Sequence, residues 1–127
     1  MINQLPDLSR LEIQCLRLLW QRTEASVRDI HCDLEGPTSY STIRKIVERL
    51  EEKGAVERVG RQGKAVIYRS RVSQADMMRK EVGRFLDTMF DGSALSLMSQ
   101  LVDMDSVNQA DLAKLQEYLD ANEEELS

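Results

Sequence analysis

The sequence has few of the residues on which catalytic and metal sites depend. Its 127 residues include one histidine, His31, and two cysteines, Cys15 and Cys32. Two cysteines are too few for a disulfide framework, and their spacing matches no common metal motif, so we interpret both as buried thiols. His31 and Cys32 are neighbours, and on a helix their side chains would point about 100° apart, a poor geometry for a nucleophile and its base. We therefore expect no catalytic residue, no metal site and no cofactor.

Long hydrophobic runs are also missing. No segment approaches the roughly 18 apolar residues that a membrane span needs. The N-terminal residues MINQLPDLSR lack the basic start and apolar centre of a signal peptide. The sequence thus predicts a cytoplasmic protein without membrane insertion. With 42% hydrophobic residues, the chain can still build a hydrophobic core.

Charge is distributed unevenly along the chain, whose net charge is -5. Residues 1–72 carry 13 basic and 10 acidic side chains, a net charge of +3. Residues 73–127 carry 4 basic and 12 acidic side chains, a net charge of -8. The helical and strand patterns change at the same boundary. We therefore predict two domains, residues 1–72 and 73–127, without a flexible linker.

The basic half begins with two predicted helices. The first starts at a capping box made by Ser9 and Glu12 and continues to about Thr23, with apolar residues at helical spacing. The second starts at Ser26, after a very short strand, and ends before the breaker pair Gly36-Pro37.

A third helix and a hairpin complete the basic half. The helix starts at Ser39 or Tyr40 and is capped by Gly54. Two β-rich runs, AVERV and AVIYRSR, follow and are joined by the predicted loop GRQGK. The core face of the third helix is predicted to consist of Ile43, Ile46, Val47 and Leu50.

Three helices followed by a hairpin is the element order of a winged helix-turn-helix, in which the third helix enters the DNA major groove. Side chains opposite the core face of that helix can bond to base edges, and cations on the second helix and the hairpin can bind phosphates. The predicted base contacts are Ser41, Thr42, Arg44 and Lys45, with Arg49 one turn later. The predicted phosphate contacts are Arg28, Arg61 and Lys64. An amphipathic helix with this mixture of charges also occurs on ordinary surfaces, and winged helices also serve as protein-interaction modules without DNA specificity.

The acidic half predicts three short amphipathic helices. The first is capped by Ser73 and Asp76 and ends at Gly92, the second covers SALSLMSQLVDM, and the third begins near Asn108. About 55 residues make a marginal core alone, so pairing with the same helices of a second chain is the economical hypothesis. The alternative is that the helices fold back onto the first domain. The predicted dimer contacts are Met78, Val82, Phe85, Met89, Met98, Leu101, Leu112, Leu115 and Leu119.

Two strings carry a specific resemblance over nearly the whole chain. LSRLEIQCLRLLWQRTEASVRDIHCDL and YSTIRKIVERLEEKGAVERVGRQGKAVIYRSRVS resemble the penicillinase-repressor family of BlaI-, MecI- and CopY-like regulators. The resemblance implies a dimeric winged-helix repressor on a palindromic double-stranded DNA operator. It places base or backbone contacts at Ser41, Thr42, Arg44 and Lys45, and wing contacts from Arg61 to Lys64.

The same resemblance implies a mode of derepression. In this family, a membrane-bound sensor metalloprotease starts proteolysis in the dimerisation module, at an Asn-Phe pair. The aligned pair here is Gln100-Leu101, a departure that leaves cleavage at this position open. Copper-responsive relatives carry C-terminal cysteine pairs, whereas this chain has no cysteine after Cys32. A ligand- or redox-responsive regulator is the alternative mechanism.

Overall fold

The computed structural model of the protein describes residues 5–126, with side chains through residue 123. Within this part of the chain, no helix is both long enough and apolar enough to cross a membrane. In chain order, the elements are α1 (Arg10–Arg22), β1 (Glu24–Ala25), α2 (Val27–Asp33), α3 (Tyr40–Glu52), β2 (Val56–Gln62), β3 (Ala65–Ser70), α4 (Gln74–Phe90), α5 (Ala94–Asp103) and α6 (Gln109–Leu126).

The first two helices begin at reciprocal capping boxes. The Ser9 hydroxyl accepts a hydrogen bond from the Glu12 amide at 3.2 Å, and the Glu12 carboxylate accepts one from the Ser9 amide at 3.0 Å. This confirms the predicted start of α1. Ser26 and Asp29 repeat the arrangement at α2, at 3.1 and 3.0 Å. Each box satisfies two amide donors that the first turn of a helix would otherwise leave unpaired.

Helix α3 has the predicted core face, because all four of its predicted core residues are buried. The helix starts at Tyr40, with Ser39 as its N-cap and Lys53 as its C-cap. Gly54 follows with a φ of 80°, a left-handed conformation that favours glycine after a helix. The four buried residues of the core face are Ile43, Ile46, Val47 and Leu50.

The sheet contains three antiparallel strands in the order β1-β3-β2. Strand β1 pairs with β3 through Ala25 and Tyr68. The short strand is predicted at residues 25–27, but it covers Glu24–Ala25, and Val27 is already the first residue of α2. The predicted five-residue loop GRQGK is wrong. Strand β2 continues to Gln62, and only Gly63 and Lys64 form the turn, with Gly63 at a φ of 64°. The backbone ladder therefore places Arg61 within a strand, opposite Val66.

The hydrophobic core lies between α1, α2, α3 and the sheet. Every buried hydrophobic residue of the described chain falls between Leu8 and Met77. Trp20 fastens α1 to the end of β3, because its indole N–H lies 3.0 Å from the Ser70 hydroxyl and 3.1 Å from the Val72 carbonyl. These elements hold the outer face of α3 and the turn between β2 and β3 in place.

The chain divides into two compact units, one ending at Lys80 and one beginning at Glu81. The first turns of α4 belong to the first unit, because Met77 is buried there. In addition, the Lys80 ammonium donates to the Leu5 carbonyl at 2.8 Å and pairs with Asp7 at 2.9 Å. The functional boundary between residues 72 and 73 stays a prediction.

The second unit consists of the rest of α4 with α5 and α6. Its helix boundaries agree with the sequence patterns: Ser93 caps α5, and Asn108 and Asp111 form a reciprocal pair at the start of α6. None of residues 81–123 is fully buried. This unit therefore has apolar faces without an enclosed core.

Candidate nucleic-acid interface

The outer surface of α3 carries three rows of side chains, because residues three or four apart share a helix face. Tyr40 and Arg44 lie one turn apart on one flank of the core face. Ser41 and Lys45 lie opposite the core, in the middle of the outer surface, and all four side chains are exposed. The opposite flank carries Thr42 and Arg49, which are also exposed. The five predicted base-contact residues thus occupy the outer half of the helix.

A cleft of about 630 Å³, open to solvent, lies beside the flank of α3 that carries Tyr40 and Arg44. Three of the eight predicted DNA contacts line it: Arg28 from α2, Arg44 from α3 and Lys64 from the β2–β3 turn. The other five do not line this cleft. Its remaining lining comes from Ser26, Val27, Asp29, Tyr40, Glu48, Gln62, Ala65, Val66 and Tyr68.

Several cations of this unit are engaged in internal ion pairs. The Arg58 guanidinium forms two hydrogen bonds with the Glu51 carboxylate, at 2.9 and 3.3 Å, and lies 5.9 Å from the centre of the Tyr68 ring. Glu57 pairs with Arg69 at 2.6 Å and with Arg71 at 3.7 Å. Guanidinium groups held in this way are poorly placed to bind another anion.

The cations among the predicted DNA contacts differ from these paired cations. In the part of the chain that the structure describes, no ion pair involves Arg28, Lys45, Arg49, Arg61 or Lys64. All five side chains are exposed. Arg44 has only a 3.8 Å contact with Glu48, one turn further along α3. An exposed pair of this kind contributes at most about 0.5 kcal/mol, so Arg44 can exchange Glu48 for another acceptor.

The two predicted hydroxyl contacts are not equivalent. Thr42 is part of the start of α3: its amide donates to the Ser39 hydroxyl at 3.2 Å, and the two hydroxyl oxygens lie 3.0 Å apart. The Thr42 hydroxyl can therefore contact a base only while it remains close to the Ser39 hydroxyl. The alternative is a base contact made by the Thr42 methyl group. The Ser41 hydroxyl has no hydrogen bond within the described residues and is exposed.

Tyr40 lines the cleft but is not among the DNA contacts predicted from the sequence. Its side chain is 45% exposed although it is large and aromatic. The available signal was its position, four residues before Arg44 on the same helix flank. In the sequence, Tyr40 is predicted only as a possible start of the third helix.

The histidine and the cysteines lie in different surroundings. His31 is half-buried, and its Nε2 lies 3.0 Å from the Thr38 carbonyl, in the connection between α2 and α3. Burial, with a smaller contribution from the charge of Glu12, raises the pKa of the Cys15 thiol to about 11. Cys32 is exposed, so the prediction of two buried thiols is wrong for this residue: it lies on the solvent side of α2.

A helix-turn-helix followed by a hairpin, with exposed cations on α2, α3 and the turn of the wing, defines a winged-helix DNA-binding protein. The sequence profile of the family described as penicillinase repressor matches residues 8–121. The chain belongs to this family of repressors, which confirms the resemblance and the predicted fold class.

Individual relatives agree with this assignment. The chain is 26% identical over 121 residues to the methicillin resistance regulatory protein MecI of Staphylococcus aureus strain N315, covering 94% of this chain and 98% of the relative. A penicillinase repressor of Staphylococcus aureus is 22% identical over 121 residues, covering 94% of this chain and 95% of the relative.

Solved structures show the same fold. The DNA-binding domain of the repressor BlaI matches 59% of this chain and 93% of its own length, with a TM-score of 0.51 and 21% identity. A cysteine variant of MarR from E. coli matches 91% of this chain and 77% of its own length, with a TM-score of 0.54 and 14% identity.

Proposed function

We propose that the protein represses transcription as a homodimer on a palindromic operator, with one α3 helix in the major groove of each half-site. The β2–β3 hairpin then lies along the DNA backbone. The two-fold axis of such a dimer spaces the half-sites by about 34–36 Å, one turn of DNA, or by a multiple of it. The observation that carries this proposal is a set of exposed cations on α2, α3 and the wing that have no ion pair among the described residues, in a member of the penicillinase repressor family.

The contacts divide by chemistry. Arg44 can donate two hydrogen bonds to guanine O6 and N7, and Lys45 can donate to the same acceptors from the middle row. A good bidentate pair discriminates between bases by about 1–3 kcal/mol. Arg28, Arg61 and Lys64 bind phosphates and fix the register, because they lie outside the recognition helix.

The homodimer is supported by the apolar surface of α4, α5 and α6. Eight of the nine predicted contacts are exposed, and Leu101 is half-buried. Exposed large apolar side chains in such number mark an interaction surface. A second copy is the economical occupant, because it brings the same apolar faces and closes the assembly by two-fold symmetry.

A groove of about 370 Å³ between α5 and α6 forms part of this surface. It is lined by Leu95, Met98, Ser99, Leu101, Val102, Asp103, Val107, Leu112 and Leu115. We propose that side chains of the second copy fill it. The groove is also the observation that favours the ligand-responsive alternative, since an apolar groove of this volume suits a small apolar molecule.

Derepression by a membrane sensor metalloprotease at Gln100-Leu101 belongs to the same proposal. This bond lies inside α5, where the Gln100 carbonyl accepts a hydrogen bond from the Met104 amide at 3.0 Å. A protease needs an extended substrate, so at least one turn of α5 must unwind before cleavage. Cleavage there would destroy a wall of the groove and, with it, the dimer.

The redox-responsive alternative has less support. The Cys15 thiol is completely buried, and burial raises its pKa to about 11, so almost none of it is the reactive thiolate at neutral pH. Exposed Cys32 would have to act with a thiol from another molecule.

The proposed function is tested by DNA binding measured with fluorescence anisotropy. A duplex enriched by the protein from a random-sequence pool is compared with a shuffled duplex over a series of salt concentrations. We expect a preference of about a thousandfold or more for the enriched duplex at physiological salt. We also expect two chains per enriched duplex and a palindrome in its sequence. Equal, weak and salt-sensitive binding to both duplexes would instead favour the protein-interaction alternative.

A further inference from the structure

Tyr40 is the first residue of α3 and lies on the wall of the cleft between α2, α3 and the wing. Nearly half of its side chain is exposed. Its hydroxyl makes no hydrogen bond to any residue in the described part of the chain. A phenol combines a rigid apolar ring with one polar tip, and this tip is free to bond to a partner in the cleft.

The Tyr40 ring is held by His31. The two rings meet edge to face, with centroids 5.9 Å apart and planes at 86°. His31 is itself fixed, because its Nε2 lies 3.0 Å from the Thr38 carbonyl. A carbonyl only accepts hydrogen bonds, so Nε2 is the donor in this contact. The connection between α2 and α3 therefore positions, through His31, the Tyr40 ring at the start of the recognition helix.

The charged groups around the cleft favour an anion near this ring. Arg28 and Lys64 line the cleft and have no ion pair within the described residues, and Arg44 is only loosely paired. Of the two carboxylates, Asp29 is occupied by the Ser26 amide, and Glu48 is the partner of Arg44. Cations with a neutral hydroxyl donor are the groups that proteins use for DNA phosphates.

We propose that the Tyr40 hydroxyl donates a hydrogen bond to a backbone phosphate of bound DNA, and that His31 is the positioning residue for its ring. This inference rests on the proposed function, because it assigns a residue to the same DNA interface. It adds a neutral phosphate contact at the start of the recognition helix to the charged contacts described above.

The test is DNA binding by Tyr40→Phe, which keeps the ring and removes the hydroxyl. We expect binding roughly tenfold or more weaker, since a hydrogen bond to a charged acceptor is lost. The loss should be equal on the enriched and the shuffled duplex, because a phosphate carries no sequence information. The salt slope should not change, because a neutral donor releases no counterions. Tyr118→Phe, which alters an exposed tyrosine of the second unit, is the matched control and should bind as the wild type does.

A double-mutant cycle tests the role of His31. His31→Leu should weaken binding several-fold in the wild-type background but add nothing in the Tyr40→Phe background, because both changes act on the same contact. Equal losses in the two backgrounds would show that His31 acts elsewhere. Wild-type affinity in Tyr40→Phe, or a loss on the enriched duplex alone, would overturn the phosphate contact while leaving the proposed function intact. A wild-type protein that binds neither duplex would overturn both.

Discussion

The two units of this protein handle their apolar side chains in opposite ways. The first encloses all the buried hydrophobic residues of the described chain, from Leu8 to Met77. In the second, none of residues 81–123 is fully buried, and Phe85 and Met89 are 47% and 63% exposed. The first unit can therefore complete its hydrophobic core within one chain. The apolar side chains of the second unit can be buried only against a further protein surface.

Charge follows the same division. Residues 1–80 carry 15 basic and 11 acidic side chains, whereas residues 81–127 carry 2 basic and 11 acidic ones. An acidic unit is repelled by DNA, and its apolar faces are suited to another protein surface. The difference between the units is consistent with the two proposed tasks, DNA binding by the first and association with a second copy by the second. Variants that affect only one unit can test this separation.

The largest effect is expected from a charge on the apolar face of α6. Leu115→Glu should weaken the proposed dimer by more than about a hundredfold, because a carboxylate would lose its hydration without gaining a partner. Sedimentation velocity over a concentration series measures the effect. Ala113→Glu is the matched control, since it adds the same charge to an exposed position about 130° away from the apolar face. A wild type that sediments as a monomer throughout, or equal weakening by both variants, would contradict the assigned surface.

A smaller but still large effect is expected in the core of the first unit. The Leu16 side chain is completely buried, so Leu16→Ala should lower the free energy of unfolding by about 2–5 kcal/mol. Urea unfolding followed by circular dichroism measures this loss. If the units are independent, the loss should be the same in the wild-type and Leu115→Glu backgrounds, within about 0.5 kcal/mol. A background-dependent loss would show that the second unit supports the core of the first.

Local patterns predicted most of the first unit. The capping box of Ser9 and Glu12 and the terminal Gly54 are signals within a few residues of a helix end, and the structure has both. The core face of α3 follows from a strict helical period. Leu16 was not assigned to the core because neighbouring leucines fit the same period, and only packing shows which of them are fully enclosed.

Contacts between residues distant in the sequence were not predictable in this way. Strand β2 continues through Arg61 because this part of the chain pairs with β3. In the sequence, Gly60 and Gly63 indicate a loop instead. The pairing of Arg58 with Glu51 and of Arg69 with Glu57 also depends on how the strands and α3 meet. These pairs decide which cations are free for DNA, so the sequence could suggest the basic surface but not which of its cations are available.

A pH-dependent contribution to stability is expected within the first unit. Burial raises the pKa of Glu12, but hydrogen bonds from Lys53 and Ser9 outweigh burial and hold the pKa below its usual value of 4.5. The Lys53 ammonium lies 2.8 Å from one carboxylate oxygen, while the other oxygen is buried without a partner. A lowered pKa means that this stability is present above about pH 4.5 and is lost as the pH falls through the folded-state value.

Glu12→Gln should accordingly lower the free energy of unfolding by about 1 kcal/mol at neutral pH, and by less in acid, where wild-type Glu12 is protonated. Urea unfolding at a series of pH values measures the difference. Glu52→Gln is the control, because this exposed carboxylate has no ion pair within the described residues, so the free energy of unfolding should change by less than about 0.5 kcal/mol at neutral pH. A difference that stayed constant between neutral and acidic pH would show that the charge of Glu12 does not stabilise the fold.

The smallest effect concerns the cations of the wing. Lys64 is exposed and unpaired in the described part of the chain, whereas Arg69 is held by Glu57 at 2.6 Å. Lys64→Ala should weaken binding to enriched and shuffled duplexes equally and lower the salt slope by about one unit, since one phosphate contact is lost. Arg69→Ala removes the same charge but should leave the slope unchanged. Neither variant should alter the sedimentation of the protein, because neither residue belongs to the proposed dimer surface. Anisotropy titrations over a salt series measure the slopes. Equal slopes for the two variants would mean that the wing attracts DNA through its total charge, and that internal pairing does not select the contacts.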